Sequence, residues 1–391
     1  MRYLLLLAIA LGSAAGQGLK GMWDCSVTVN GAEVPFRMEF ASDTQASFFN
    51  GEEKLTSTSG KFEDGNLVLN FDYYAGVLEA TWKDGVLEGT YRRPTSKYPF
   101  RAHRFSASAN EADAPKIAGL WTIGTSSSKG EAAWTMIVRQ KGAEVSGAIQ
   151  RIDGDTGALA GSWLGGKFTL SHFSGARPAV FELTPQTDGT LKVVQNGRRE
   201  LTAVRADVAK AKGLPQPDDP AKHTSVKDPN EPLHFSAPDL KGRMFREADF
   251  QGKVVIVAIG GSWCPNCHDE APFLEELYRK YRARGLEVVA LSFEEGEQLQ
   301  NPARLRAFIQ RYGIDYTVLL AGDTKELGAK MPQAVNLDSW PTSFFLGRDG
   351  RVRAVHAGFA GKATGELHEE MRGEVTSLVE RLLAENTQSQ R

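Results

Sequence analysis

The chain has 391 residues, 41% of them apolar, and a formal net charge of −2. That length exceeds one ordinary hydrophobic core and calls for two or three domains, while a near-neutral balance without a Lys/Arg cluster argues against nucleic acid as a partner. Only three cysteines are present, which excludes a disulfide-stapled scaffold and leaves thiols that are used rather than stored.

Residues 1–16 read as a cleaved secretory signal. One basic residue, Arg2, precedes a short apolar run from Tyr3 to Leu11 and a small-residue site at Ser13-Ala14-Ala15. The run is too short for a spanning helix, and no later segment is apolar for long enough to cross a bilayer. The mature chain is therefore expected outside the cytoplasm, periplasmic or otherwise secreted. Cys25 follows Asp24, where a lipoprotein signal wants a small residue, so it reads as a buried free thiol in a strand.

From residue 17 to 206 the pattern is short strands punctuated by glycine, and it repeats. Gly21-Met22-Trp23 recurs as Gly119-Leu120-Trp121, and Met38 matches Met136 at the same offset. At a longer offset Gly60, Phe62, Gly65, Leu67 and Leu69 answer to Gly161, Trp163, Gly166, Phe168 and Leu170; Asp84-Gly85 then answers to Asp188-Gly189. Two antiparallel β units are predicted, 17–110 and 116–206. Trp23, Trp121 and Trp163 are read as core plugs, and no chemistry is assigned to this half. Residues 207–231, with Pro215, Pro217, Pro220 and Pro229, form an expected extended linker in which His223 is a solvated loop residue.

Residues 232–391 alternate strands with helices, the pattern of one covered α/β sheet. Strands are predicted at Val254 to Ile259, Val288 to Phe293, Thr317 to Leu320, Ser343 to Leu346 and Val352 to His356. Helices are predicted at Arg304 to Tyr312 and Leu367 to Leu383. The β-branched run before Gly260-Gly261 leads directly into Trp263-Cys264-Pro265-Asn266-Cys267. Pro265 suits a first helical turn, which places Cys264 at a helix N-terminus, where unpaired N–H groups favour the thiolate. Cys264 is then the nucleophile and Cys267, one turn further in, the more sheltered thiol that closes the redox disulfide. Glu270 shares the helix face of Cys267; if buried, its raised pKa makes it a proton acceptor. His268 and Asp269 are read as exposed.

These motifs, in this order, resemble the TlpA/ResA-like branch of the thioredoxin superfamily, with an AhpC/TSA-redoxin-like outline. W-C-P-N-C follows a buried strand, Pro272 falls five residues after Cys267, and Val288 to Glu295 is similar to the family's next strand. Trp340-Pro341-Thr342 resembles the loop whose cis-proline faces the cysteines, followed by the Gly347-Arg348-Asp349-Gly350 turn. The resemblance implies a thioredoxin-like fold behind the all-β region and thiol-disulfide exchange with client proteins, as a reductant. It also implies a carboxylate at Glu270 in the active site, client contacts at Trp263, Pro265, Trp340, Pro341 and Thr342, and a membrane or periplasmic thiol donor. No cofactor and no metal are implied. Two other chemistries fit parts of the pattern. Cys264-Pro-Asn-Cys267-His268 has the form of a covalent c-type haem site, and peroxiredoxins share the outline, although Gly261 and Val257 stand where those carry Thr and Pro.

Overall fold

The computed structural model describes residues 18–51, 53–106 and 113–385. The signal reading, residues 1–16, lies outside them. No helix among the described residues is long and apolar enough to cross a membrane.

The N-terminal half is all-β, as expected. Its first nine strands run from Gly21–Val29 to Ser96–Arg104 in one antiparallel sheet, where the first strand pairs with both the second and the last. This sheet curls into a half-barrel whose two edge strands are joined by Ser57-Thr58: Ser57 N–H bonds Ala46 O at 2.8 Å, extending the pairing of the third and fourth strands, and Thr58 N–H bonds Asn70 O at 2.7 Å, extending that of the fifth and sixth. The second set, Gly119–Gly124 to Arg199–Arg205, closes into a barrel through pairing of Ala133–Lys141 with Glu144–Arg151. Alternate side chains face inward along these strands, the period of two that fills each interior.

The duplication reappears atom by atom. Trp23 Nε1 donates to Leu19 O at 2.8 Å, and Trp121 Nε1 donates to Ile117 O at 2.9 Å. Arg104 covers the Trp23 ring at 4.6 Å and Arg205 covers the Trp121 ring at 4.0 Å. Each tryptophan pairs across the sheet with the repeated methionine, Trp23 with Met38 and Trp121 with Met136. Both are buried, and Trp163 packs against Phe168 at the edge of the second core. Cys25 is a buried free thiol in the first strand.

The two units share a seam. Phe173 of the second lies in the core of the first, 4.7 Å from Phe36 and 5.1 Å from Tyr91 between ring centres. Asn50 clamps its backbone, accepting from Phe173 N–H and donating to Phe173 O, both at 2.9 Å.

The expected extended linker is different in the structure. Ala206–Ala211 is helical, and Pro220–His223 forms a further turn whose first N–H groups are met by Asp219. Ser225–Val226 pairs with Ala334–Val335, so the segment is docked on the C-terminal domain rather than free. His223 is not solvated: its side chain is 6% exposed and Nε2 lies 2.7 Å from Asp338. Proline density pointed to extended spacing, but docking depends on contacts more than a hundred residues away.

The C-terminal domain is a five-stranded mixed sheet, thioredoxin-like as expected: its three long helices pack together on the face of Val254, Ile256 and Ala258, and short segments around Phe235, Phe250 and Leu327 cover the other. Its strands are β1 (Val254–Gly260), β2 (Leu286–Glu294), β3 (Thr317–Asp323), β4 (Thr342–Leu346) and β5 (Val352–Ala357), in the order β3-β2-β1-β4-β5. β1 to β3 are parallel and β4 and β5 antiparallel. The principal helices are α1 (Pro265–Tyr281), α2 (Ala303–Tyr312) and α3 (Glu366–Ala384). β1, central and buried on both faces, ends at Gly260 and delivers the chain into α1.

Phe173→Ala should empty the seam between the β units and lower the stability of their unfolding transition by about 3–5 kcal/mol. A denaturant melt followed by tryptophan fluorescence measures it.

Candidate active site

Cys264 is the N-cap of α1, and Pro265 occupies the first helical position. The Cys267 N–H points at Cys264 Sγ, 3.4 Å away, and the Cys264 thiol donates to Trp340 O at 3.5 Å. Both cysteines are free thiols. The Trp340–Pro341 peptide is cis, and Gly358 N–H donates to Pro341 O at 2.7 Å, so the Pro341 loop and the loop after β5 form one wall beside the cysteines.

The loop between β1 and α1 is fixed from below by a buried charge pair that sequence reading missed. Glu294 and Arg304 meet at 2.7 Å with both side chains fully buried. Glu294 accepts from Ser262 N–H, from Ser262 Oγ and from Ser292 Oγ, each at 2.8 Å. Arg304 Nε donates to Ser262 Oγ at 2.9 Å and Nη1 lies 3.4 Å from Glu295. An ion pair in this setting is tolerable only because nearly every polar atom has a partner.

The two thiols are shifted in opposite directions. Burial pushes the Cys264 thiol up, but its hydrogen bond with Cys267 and the positive charge of Arg177 outweigh that and hold it below the ordinary thiol value. Cys267 is pushed well up by burial, by its hydrogen bond to Cys264 and by the charge there. Glu270 is buried, accepts from Ser343 Oγ at 2.8 Å, and is raised from 4.5 to about 8, chiefly by burial. A cavity of about 40 Å³ is lined by both Cys267 and Glu270 and is large enough for a water.

His268, expected to be exposed, is buried. Its Nε2 donates to Ser262 O at 2.8 Å, Nδ1 lies 3.0 Å from Tyr312 Oη, and Tyr74 of the first β unit packs on the ring at 4.4 Å. Burial takes its pKa down to about 3, so the ring is neutral. With both nitrogens engaged it has no free position for a haem iron. Asp269 is exposed, as expected.

Trp263 Nε1 donates to Phe293 O at 2.9 Å and its ring meets Trp340 edge to face. Trp340 and Pro265 are half-buried. Thr342 is fully buried with its hydroxyl on Ser339 O at 2.8 Å, which supports the Pro341 loop from behind.

The expected exposure of the two thiols fails as well. Cys264 was to be presented and Cys267 sheltered; the structure has Cys264 0% exposed and Cys267 6% exposed. The cover is the β half, to which no chemistry had been assigned. Arg93 of the first unit donates to Trp263 O at 3.1 Å. The turn Asp153-Gly154-Asp155 of the second unit lies across the start of α1: Asn266 Nδ2 donates to Asp153 O at 2.5 Å, and Gly361 N–H donates to Asp155 Oδ2 at 2.8 Å. Arg177, on the loop that follows Phe173, brings its charge to Cys264 and Asp153. A cavity of about 1010 Å³ between the three units is lined by Tyr74, Arg177, Pro265, Asn266 and Arg311.

Residues 229–355 match the AhpC/TSA family. The same part of the chain is similar to the thiol-disulfide oxidoreductase ResA of Bacillus cereus (strain ZK / E33L). Identity is 32% over 122 residues, 31% of this chain and 65% of that protein's length. ResA of Geobacillus kaustophilus is 29% identical over 134 residues, 34% of this chain and 71% of that one. Among solved structures, a thiol:disulfide interchange protein of the thioredoxin family from Chlorobium tepidum TLS is 24% identical. The match covers 41% of this chain and all of that one, with a TM-score of 0.31.

Replacing Arg177 with Gln should raise the Cys264 pKa by about one unit or more, while Lys restores most of it; thiolate absorbance at 240 nm against pH measures the shift. Glu270 gives a second expectation. Because its folded pKa exceeds the unfolded value, the native state holds a proton that the unfolded state has lost between about pH 4.5 and 8, so stability falls as pH rises through that window. Glu270→Gln removes this slope, measurable by urea melts at pH 5 and pH 8.

Proposed function

We propose that this chain is a thiol-disulfide oxidoreductase that works outside the cytoplasm, reducing disulfides in client proteins. The observation that carries the reading is the pair of free thiols on the first turn of α1 with opposite pKa shifts, Cys264 favouring the thiolate and Cys267 the thiol. The ResA relatives, named thiol-disulfide oxidoreductases, support the same chemistry. The expected signal over residues 1–16 supports the location.

In this reading residues 232–391 carry the chemistry, the β units 17–110 and 116–206 cover it, and residues 207–231 connect them. Cys264 thiolate attacks one sulfur of a client disulfide; the S–S bond breaks, a Cys264–client mixed disulfide forms, and the other client sulfur leaves as a thiolate. Glu270, ionised, takes the Cys267 proton, directly or through a water in the small cavity. Cys267 then attacks Cys264, the mixed disulfide breaks, and the second client thiol is released. Two electrons have passed to the client and the chain holds a Cys264–Cys267 disulfide. A membrane-bound or periplasmic dithiol donor restores the pair. Trp263, Pro265, Trp340 and Pro341 form the wall against which the client backbone lies, and Thr342 shapes it.

Peroxide reduction is the competing chemistry for this outline. Gly261 packs against Trp263 Nε1 and Phe293 O and offers no hydroxyl to a peroxide. Cys264→Ser is expected to abolish insulin reduction, and Cys267→Ser to trap mixed disulfides visible by mass spectrometry. Peroxide turnover that survives Cys267→Ser, with insulin untouched by the parent protein, would assign the chain to peroxidases instead.

A further inference from the structure

Asp153-Gly154-Asp155 is built to fit the groove it occupies. From behind, the barrel fixes it: Lys129 lies 3.3 Å from Asp153 Oδ2, Glu131 accepts from Ile152 N–H at 2.7 Å, and Asp155 Oδ1 accepts from Gly157 N–H at 2.6 Å. In front, the turn offers one backbone carbonyl to Asn266 and one carboxylate oxygen to Gly361 N–H. Between them Gly154, at φ +108°, leaves no room for a side chain: a Cβ there would lie 2.4 Å from Asn266 Nδ2 and 2.6 Å from Phe359 O. Opposite, Gly358 at φ +69° admits the turn, since a Cβ on it would meet Ile152 O at 2.4 Å and Gly154 N at 2.5 Å. Lys129 also reaches across to Ser339 Oγ, 3.4 Å away, beside the Pro341 loop. Asp155, Asn266 and Cys264 are all buried.

We propose that the groove between the start of α1 and the Gly358–Gly361 loop is a polypeptide-binding surface whose resident occupant is the Asp153-Gly154-Asp155 turn of the same chain, which a client must displace. The surface reads a carbonyl, a residue without a side chain and a carboxylate, in that order. The clients that compete best therefore present an acidic, glycine-containing segment next to their disulfide. Because the turn and the thiol share one wall, occupancy by the turn and access to Cys264 exclude each other. The proposal rests on the exchange reading for its biological sense, but the closure itself is a property of the fold.

The test uses the full-length reduced protein. A bulky maleimide is added at pH 7 and the rate of modification at Cys264 is read by mass spectrometry, beside insulin reduction on the same samples. Asp155→Asn keeps an oxygen for Gly157 N–H and turns an N–H donor toward Gly361 N–H, so it opposes docking with little change to the barrel. Gly154→Ala inserts the forbidden Cβ. Both should speed labelling of Cys264 by about tenfold or more, the scale of losing a buried charge-assisted hydrogen bond. If Gly154→Ala fails to fold, Asp155→Asn decides. An unmodified protein that labels as fast as Asp155→Asn overturns the proposal. Faster labelling without insulin reduction in any variant supports the closure and refutes the exchange reading; equal labelling with normal insulin reduction refutes the closure and leaves the exchange reading standing.

Discussion

A thiolate that has lost contact with water must find its compensation in fixed groups of the protein, and the architecture around Cys264 follows from that constraint. The ordinary source is the N-terminus of α1, with Pro265 in the position where no N–H is needed and the Cys267 N–H aimed at sulfur. That would suffice for an exposed cysteine. For one that is fully covered, a formal positive charge is added from another part of the chain, Arg177. The loop that precedes α1 is held equally firmly: Glu294, itself neutralised by buried Arg304, fixes the Ser262 backbone and hydroxyl. The same Ser262 offers its carbonyl to His268, tying α1 to the loop and, through Tyr74, to the first β unit.

The duplication explains how a β module comes to cover a thioredoxin-like domain. Both copies keep the Trp–Arg clamp and the paired methionine that organise their cores. They differ in the connections, where a barrel tolerates change most easily. The second copy alone sends Asp153–Asp155 and Arg177 to the cysteines. The first contributes Arg93 and Tyr73 and Tyr74, whose rings meet edge to face, with Arg311 of α2 lying over the Tyr73 ring at 4.2 Å.

Much of the C-terminal fold was legible because its signals are local. A β-branched run, a glycine stop, Pro265 after Cys264 and Glu270 on the Cys267 face are facts about neighbours in sequence, and each survives folding unchanged. His268 and His223 were misread for the opposite reason. A lone histidine carries no pattern, and its burial depends on Tyr74, Tyr312 or Asp338, which no local window contains. The cover over Cys264 was equally invisible as a contact, yet it left a trace. The offset between the β copies lengthens once between Met136 and Gly161 and again between Leu170 and Asp188, and those two intervals hold Asp153–Asp155 and Arg177. Residues inserted in one copy of a duplicated barrel have no part in the shared core, so they are free to acquire a task of their own.

Burial at the site acts on three titratable groups at once, and in the same sense: it raises Cys264, Cys267 and Glu270 alike. For Cys267 and Glu270 that common effect is left standing: the Cys267 thiol stays protonated, and the Glu270 carboxyl is mostly protonated below its pKa of about 8, so that only its ionised fraction can accept a proton. Only Cys264 is exempted, by Cys267 on one side and by Arg177 on the other. The β unit that removes water from the sulfur therefore also carries the charge that compensates for removing it. A thioredoxin-like domain without that unit would lose both together: Cys264 would return to water and be governed by the helix terminus alone. Cover and counter-charge on one rigid body keep the thiol from ever being buried without its partner.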